Sequence, residues 1–200
     1  MRLVMMLVLA TAFAINAVAF AAEGDVLAGK AKGEQSGCVA CHGSDGISTA
    51  ETVPDLAGQP DLFVQFQLVF FRSGARQSDV MNPLAKDLSD EDIRNLGAYY
   101  ASLPPPKSAT DPDAAPEQTQ LGERIAKTVR CASCHGDQLQ GVDNAARLAG
   151  QRQDYLLKAL RDFKSGARTG TGLNVMAEVA RPFNDEQLQA LAQYLSRLQR

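Results

Sequence analysis

The chain has no tryptophan, two histidines and four cysteines in 200 residues. Of its five methionines, three fall in the first six residues, which leaves Met81 and Met176 in all the rest. No segment alternates at period two, so no real sheet is expected. No clustered basic run is present, which argues against nucleic acid as a partner. An apolar fraction of 45% and a charged fraction of 22% are ordinary for a globular chain.

Because cysteine and histidine are so few, their positions carry weight. All of them fall in two words, Cys38-Val39-Ala40-Cys41-His42 and Cys131-Ala132-Ser133-Cys134-His135. Each is Cys-x-x-Cys-His, the attachment pattern of a c-type haem. Two intervening residues put both sulfurs within reach of one porphyrin edge, where the thiols add across the vinyl groups. The following His becomes an axial ligand. Two disulfides are the first alternative, but so short a loop is strained and more typical of redox or metal sites. A zinc site built from all four cysteines is the second, and it leaves both histidines without a purpose. The reading is therefore two covalently bound haem c groups.

The N-terminus has Arg2, an apolar run from Leu3 to Ile15 and a small-residue end, Ala19-Phe20-Ala21. This is the pattern of a secretory signal peptide, residues 1–21, with cleavage after Ala21 and Ala22 as next best. The alternative is an uncleaved anchor, since the run is just long enough to span a bilayer. An exported haem protein of this kind points to the periplasm.

The rest of the chain is a tandem repeat: domain 1 over residues 22–103, a linker over 104–117 and domain 2 over 118–200. The stretch from Pro104 to Pro116 holds five prolines and no apolar periodicity, as an extended linker does. Leu56-Ala57-Gly58-Gln59 returns as Leu148-Ala149-Gly150-Gln151. Phe71-Arg72-Ser73-Gly74-Ala75-Arg76 returns as Phe163-Lys164-Ser165-Gly166-Ala167-Arg168. Helical spacing predicts a helix from Gly24 to Ser36 with Leu27 and Ala31 on one face, loosened by Gly33 and Gly37. A second runs from Asp61 to Ser73, closed by Gly74. A third starts at Ser89, with Asp92 completing a near capping box. In the second half a helix is expected over Gln118–Arg130, with Leu121, Ile125 and Val129 on one face. Another is capped by Asn184, with Gln187 three residues on. The fold class is all-α.

Met81 lies 39 residues after His42 and Met176 lies 41 after His135. Each is expected in the loop before its domain's last helix, where it serves as the sixth iron ligand. Core packing is the alternative for a methionine, but one per repeat at equivalent places fits ligation better. Met/His ligation raises the potential and leaves the iron coordinatively full. No histidine is then left for acid–base work. Around each site, the Pro54 carbonyl is expected to accept the Nδ1 proton of His42, with Ala146 in the same place for His135. Arg76 and Arg168 are candidates for pairing with haem propionates or are ordinary surface arginines. Tyr99, Tyr100, Tyr155 and Tyr194 are expected to serve helix packing.

The two haem words, the repeated Leu-Ala-Gly-Gln, the Gly-Ala-Arg before each Met and the closing Asp-Glu-Asp-Ile helix resemble cytochrome c4 over essentially the whole chain past the signal peptide. The chain is similar also to dihaem subunits of flavocytochrome sulfide dehydrogenases. The resemblance implies a periplasmic, all-helical, dihaem protein, His/Met-ligated at both irons. Its two class I cytochrome c domains are related by a pseudo-two-fold axis. Ala146, where many relatives have Pro, and a Pro-rich linker depart from the family pattern.

Three functions are weighed. The first is an electron carrier between an electron donor complex and a terminal oxidase. The second is an electron-transfer subunit of a periplasmic dehydrogenase such as flavocytochrome sulfide dehydrogenase. The third is a haem enzyme or gas sensor, which needs an open iron. The reading is an electron carrier and not an enzyme, with redox protein partners and room for peripheral membrane association. Domain 1 holds 6 Lys/Arg against 12 Asp/Glu, and domain 2 holds 12 against 8. This split predicts that Arg124, Lys127, Arg130, Arg147, Arg152, Lys158 and Arg161 face an acidic partner. It also predicts a lower potential for the first haem.

Overall fold

A computed structural model describes residues 23–107, 115–169 and 174–198. The expected signal peptide lies outside the described residues, as does the middle of the linker. Among the described residues there are ten helices and no strand, only an isolated bridge between Val142 and Ala145. The first half holds α1 (Val26–Gln35), α2 (Val39–His42), α3 (Asp61–Ser73), α4 (Met81–Ala85) and α5 (Asp90–Ser102). The second repeats the order with α6 (Pro116–Thr128), α7 (Ala132–His135), α8 (Gln153–Ser165), α9 (Val175–Ala180) and α10 (Asp185–Ser196). The architecture is the expected all-α class, with the helix order of the first half repeated in the second. No described helix is long and apolar enough to cross a membrane.

In each half the first long helix crosses the last at very short range, and a glycine makes this possible. A Cβ on Gly29 would lie 1.9 Å from the Asn95 carbonyl oxygen and 2.8 Å from Tyr99 Cβ. A Cβ on Gly122 would lie 2.0 Å from the Ala190 carbonyl oxygen and 2.7 Å from Tyr194 Cβ. The packed face of α1 is thus Gly29 and Gly33, both buried. This corrects the expectation for Leu27 and Ala31, which are exposed, Leu27 to 78%. Apolar periodicity missed the true face because its closest contacts are made by the absence of a side chain.

The helix ends follow local chemistry. Asp25 caps α1 by accepting the Leu27 and Ala28 N–H groups. Ser89 and Asp92 form a full capping box at α5, and Asn184 with Gln187 does the same at α10. Helix α3 spans the expected residues, and α3 and α8 both end on a left-handed glycine, Gly74 and Gly166. Only glycine takes that backbone without a Cβ penalty. Helix α6 begins at Pro116 rather than Gln118, because Pro at the first helical position has a preset φ and no amide to leave unpaired. Both methionines stand in the first turn of a short helix, α4 or α9, rather than in a loop.

The core of the first half is one cluster, built on Val64, Phe71, Ile93, Leu96, Tyr99 and Tyr100. The second half has two, one around Leu188 and Leu191 and one around Leu156 and Leu195. Cys131, Leu157 and Tyr194 pack against both.

Candidate haem centres and the seam between them

Each haem word forms a single helical turn. The His42 N–H donates to the Cys38 carbonyl at 3.0 Å, and the His135 N–H donates to that of Cys131 at 3.0 Å. That turn sets the two thiols three residues apart and the imidazole one turn from the first thiol. All four cysteines are free thiols, with Cys41 and Cys134 exposed and Cys38 and Cys131 half-buried. Burial raises the pKa of Cys38 and Cys131. No disulfide links them. Among the described residues, no three His, Cys, Asp or Glu side chains gather as a metal cluster.

His42 Nδ1 lies 2.9 Å from the Pro54 carbonyl oxygen, and His135 Nδ1 lies 2.7 Å from that of Ala146. A carbonyl only accepts, so each Nδ1 carries the proton and each Nε2 keeps its lone pair. Burial pushes both imidazoles below their ordinary pKa, outweighing the opposite pull of the carbonyl bond, and this favours the neutral ring. A neutral imidazole with Nε2 free is what an iron requires. The expected acceptors are therefore in place, and Ala146 serves as well as proline because the bond uses only the backbone.

Met81 is half-buried against the first core and Met176 against the Leu188–Leu191 cluster. Around Met81 the chain is pinned. Asn82 Nδ2 donates to the Phe71 and Arg76 carbonyls at 2.6 and 2.9 Å, and the Met81 N–H donates to Ser78 Oγ at 3.1 Å. Apolar side chains beside these elements remain open, among them Leu62, Phe66, Val80, Leu84 and Val175. Free thiols, a neutral imidazole and uncovered apolar side chains together suit a large apolar prosthetic group in each half.

The halves meet in a seam, in keeping with the pseudo-two-fold arrangement that the resemblance implies, but most of its side-chain contacts had no signal in the sequence. The repeated Ser-Gly-Ala-Arg is a helix end that swings its arginine back. The Arg76 N–H reaches the Phe70 carbonyl at 3.1 Å, and the Arg168 N–H reaches that of Asp162 at 2.9 Å. Each guanidinium lies 4.5 Å over a phenyl ring, Phe71 or Phe163. The two arginines then converge on shared partners. Gln67 Oε1 accepts from Arg76 at 2.7 Å and from Arg168 at 3.0 Å. Tyr155 Oη accepts from them at 3.3 and 3.4 Å. Burial alone would raise the Tyr155 pKa, but the two guanidiniums outweigh it and bring it down to about 8. Both shared acceptors are neutral groups, so the paired positive charge suits an anion at this point. Tyr155 is thus more than helix packing, and neither it nor Gln67 carried any signal in the repeat, where Phe63 and Ala159 take the matching places.

Part of the charge expected to face a partner has partners within the chain. Arg147 is buried and donates to the Ala149 carbonyl at 3.1 Å. Arg152 pairs with Asp154 and donates to the Ser48 carbonyl at 2.8 Å. Lys127, Lys158 and Arg161 pair with Glu123, Asp162 and Asp185 on their own half. Five of the seven basic residues therefore have partners within the chain, most of them near neighbours in sequence, and the Arg152 side chain also reaches the other half.

Comparison with known proteins gives a consistent picture. Residues 119–199 match the family model described as cytochrome c, and residues 25–99 match that of cytochrome C oxidase, cbb3-type, subunit III. The chain is 38% identical to a thiosulfate dehydrogenase electron acceptor of Thiomonas intermedia, over 82% of this chain and 79% of that one. It is 34% identical to cytochrome c4 of Pseudomonas aeruginosa, over 88% and 90%. Its structure is similar to the crystal structure of reduced recombinant cytochrome c4 from Pseudomonas stutzeri. That similarity has a TM-score of 0.79 at 30% identity, covering 88% of this chain and 99% of that one.

Proposed function

The chain belongs to the cytochrome c4 family, and from that premise we propose that it is a periplasmic carrier that takes single electrons from a quinol-oxidising complex or a dehydrogenase and delivers them to a terminal oxidase. It is a dihaem electron-transfer cytochrome rather than an enzyme, with redox proteins as its partners. Haem c is bound covalently at Cys38 and Cys41 and again at Cys131 and Cys134. Bound haem supplies a one-electron ferric/ferrous couple.

The chain's own residues do the rest. His42 and His135 each offer Nε2 to an iron while Nδ1 is held by a carbonyl. Met81 and Met176 would supply a thioether as the second protein ligand to each iron, and an iron so held would have no position left for water or small molecules. Arg76 and Arg168 would hold propionate groups at the seam, where their shared neutral partners leave positive charge to be balanced. The carrying observation is the doubled imidazole–carbonyl pair, one in each half, with a single methionine following at the matching place.

The test is optical. Purified protein should carry two haems per chain, show a thioether-to-iron charge-transfer band when oxidised and ignore carbon monoxide when reduced. A carbon monoxide-sensitive iron in the native protein overturns the ligand assignment. The first haem, in the more acidic half, should have the lower potential, and a domain-resolved redox titration checks the order.

A second reading is favoured by the relative in Thiomonas intermedia. Here the chain serves one periplasmic dehydrogenase of a reduced sulfur compound, thiosulfate or, as in flavocytochrome sulfide dehydrogenases, sulfide. Co-purification with a catalytic subunit supports this reading, whereas isolation as a lone chain that a membrane oxidase consumes supports the carrier.

A further inference from the structure

The repeated Leu-Ala-Gly-Gln has a structural consequence that the haem ligands do not explain. Its last residue, Gln59 or Gln151, is buried, at 4% and 3% exposure, and each reaches across the seam into the other half. Gln151 Oε1 accepts the Asp55 N–H at 2.9 Å, and its Nε2 donates to the Asp55 carbonyl at 2.8 Å. Gln59 Oε1 accepts the Arg147 N–H at 3.0 Å, and its Nε2 donates to the Arg147 carbonyl at 3.1 Å. The two clamps are one contact repeated by pseudo-symmetry, because residues 55 and 147 occupy the same place in the repeat. The contact reads only backbone, so it survives the change from Asp to Arg.

The clamped amide is not an arbitrary one. The Asp55 N–H and the Pro54 C=O belong to one planar peptide unit, as do the Arg147 N–H and the Ala146 C=O. The carbonyl end of each plane accepts the imidazole proton of its own half. The amide end is held by glutamine from the opposite half. A rigid plane gripped at both ends cannot rotate to loosen one bond without breaking the other. Donation by the N–H also polarises the unit and makes its oxygen a stronger acceptor.

We propose that Gln151 and Gln59 are cross-domain positioning residues, each fixing the peptide plane that orients and polarises the proximal histidine of the other domain. The proposal rests on His42 and His135 being the axial ligands. A stronger acceptor at Nδ1 makes the imidazole more basic and favours ferric iron. The redox character of each haem therefore depends on how the other domain is docked. Communication between the two centres then runs through backbone amides as well as through space.

The test uses the haem-loaded full chain and reads the two potentials separately. Gln151→Met keeps the length of the side chain and removes both amide functions. It should raise the potential of the N-terminal haem and leave the C-terminal haem near its native value. Gln59→Met should do the reverse. Gln→Asn variants retain the amide on a shorter stem and should give smaller shifts at the same haem, and they serve where a Met variant does not mature. The Nδ1–H proton resonance of the affected histidine should move with the potential. Equal shifts at both haems would mean that the seam had merely admitted water, and the proposal fails. A shift at the haem of the mutated half, or none at all, also overturns it. Loss of the axial methionine signal in the native protein would count against the ligand assignment and not against the clamp.

Discussion

Residues 48–55 of the first half and 140–147 of the second occupy matching loops, yet the opposite domain holds them by different means. The first loop is gripped by charge. Arg152 donates to the Ser48 carbonyl, and Asp154 Oδ2 accepts the Thr52 N–H at 2.9 Å. The second loop is met by backbone and an imino-acid ring. The Phe63 N–H donates to the Asp143 carbonyl at 3.1 Å, and a Cβ on Gly141 would lie 2.7 Å from Pro60 Cγ. Behind both loops the glutamine clamp is the same. Contacts that read only backbone are indifferent to side-chain change and stay duplicated. Contacts made by side chains are free to diverge, and here charged side chains from the opposite half grip the first loop, while backbone and a proline ring meet the second.

The largest test of this inequality concerns the cores. Replacing Cys131 and Cys134 with Ala should reduce the haem content from two to one per chain and disorder the second half. Its two core clusters join only through partly buried residues that include Cys131. The same change at Cys38 and Cys41 should do less damage, because the first core is one cluster. Domains this small have thin cores, so both melting transitions should weaken. Equal losses in calorimetry would break the comparison.

The helix crossings, by contrast, should be equal. Gly29→Ala and Gly122→Ala each drive a methyl into helix backbone that cannot step aside. Each should cost about 3 kcal/mol, the upper end of the range for overpacking, in denaturant unfolding. A clear difference would show that one crossing can open.

A smaller effect, confined to the first haem, is expected of Asn82→Ala. It unpins the Met81 turn from the Phe71 and Arg76 carbonyls at a cost of about 1–2 kcal/mol. The thioether charge-transfer band of that haem should fade at lower alkaline pH than in the native protein. The second half has Ala177 at the matching place and should not change.

The smallest effect separates the two loops by pH. Burial alone would raise the Asp154 pKa, but Arg152 and the Thr52 and Tyr155 N–H groups outweigh it and hold the carboxyl below its usual range. Its contribution to stability is complete above the ordinary carboxylate pKa of about 4 and is lost as pH falls through the lowered value. Asp154→Asn should therefore flatten the acid limb of the stability curve by roughly 1 kcal/mol, seen as a smaller drop in melting temperature below pH 4. The matching residue in the first half is Leu62, which has no charge to titrate.

Much of this was legible beforehand. The two haem words, the glycine that ends α3 and the capping residues Ser89 and Asn184 depend on local chemistry. A short stretch of sequence is enough to specify each of them. The carbonyl acceptors at Pro54 and Ala146 were legible for the same reason. Harder to see were the face of α1, where the signal was a missing side chain, and Asn82, whose bonds run back to α3. The role of Tyr155 and Gln67 was invisible, since each acquires its partners only when a second domain arrives.

The sequence by itself determined that haem is attached twice and that the chain is duplicated and helical. These are matters of spacing along one chain, where a few bonds decide geometry. Only the tertiary structure decided what Leu-Ala-Gly-Gln is for, what Arg152 reaches in the other half and why two arginines face each other. Those answers depend on groups 88 to 104 residues apart meeting across a seam. A buried amide or guanidinium takes whichever partner the fold brings within 3 Å, and no linear pattern records that choice.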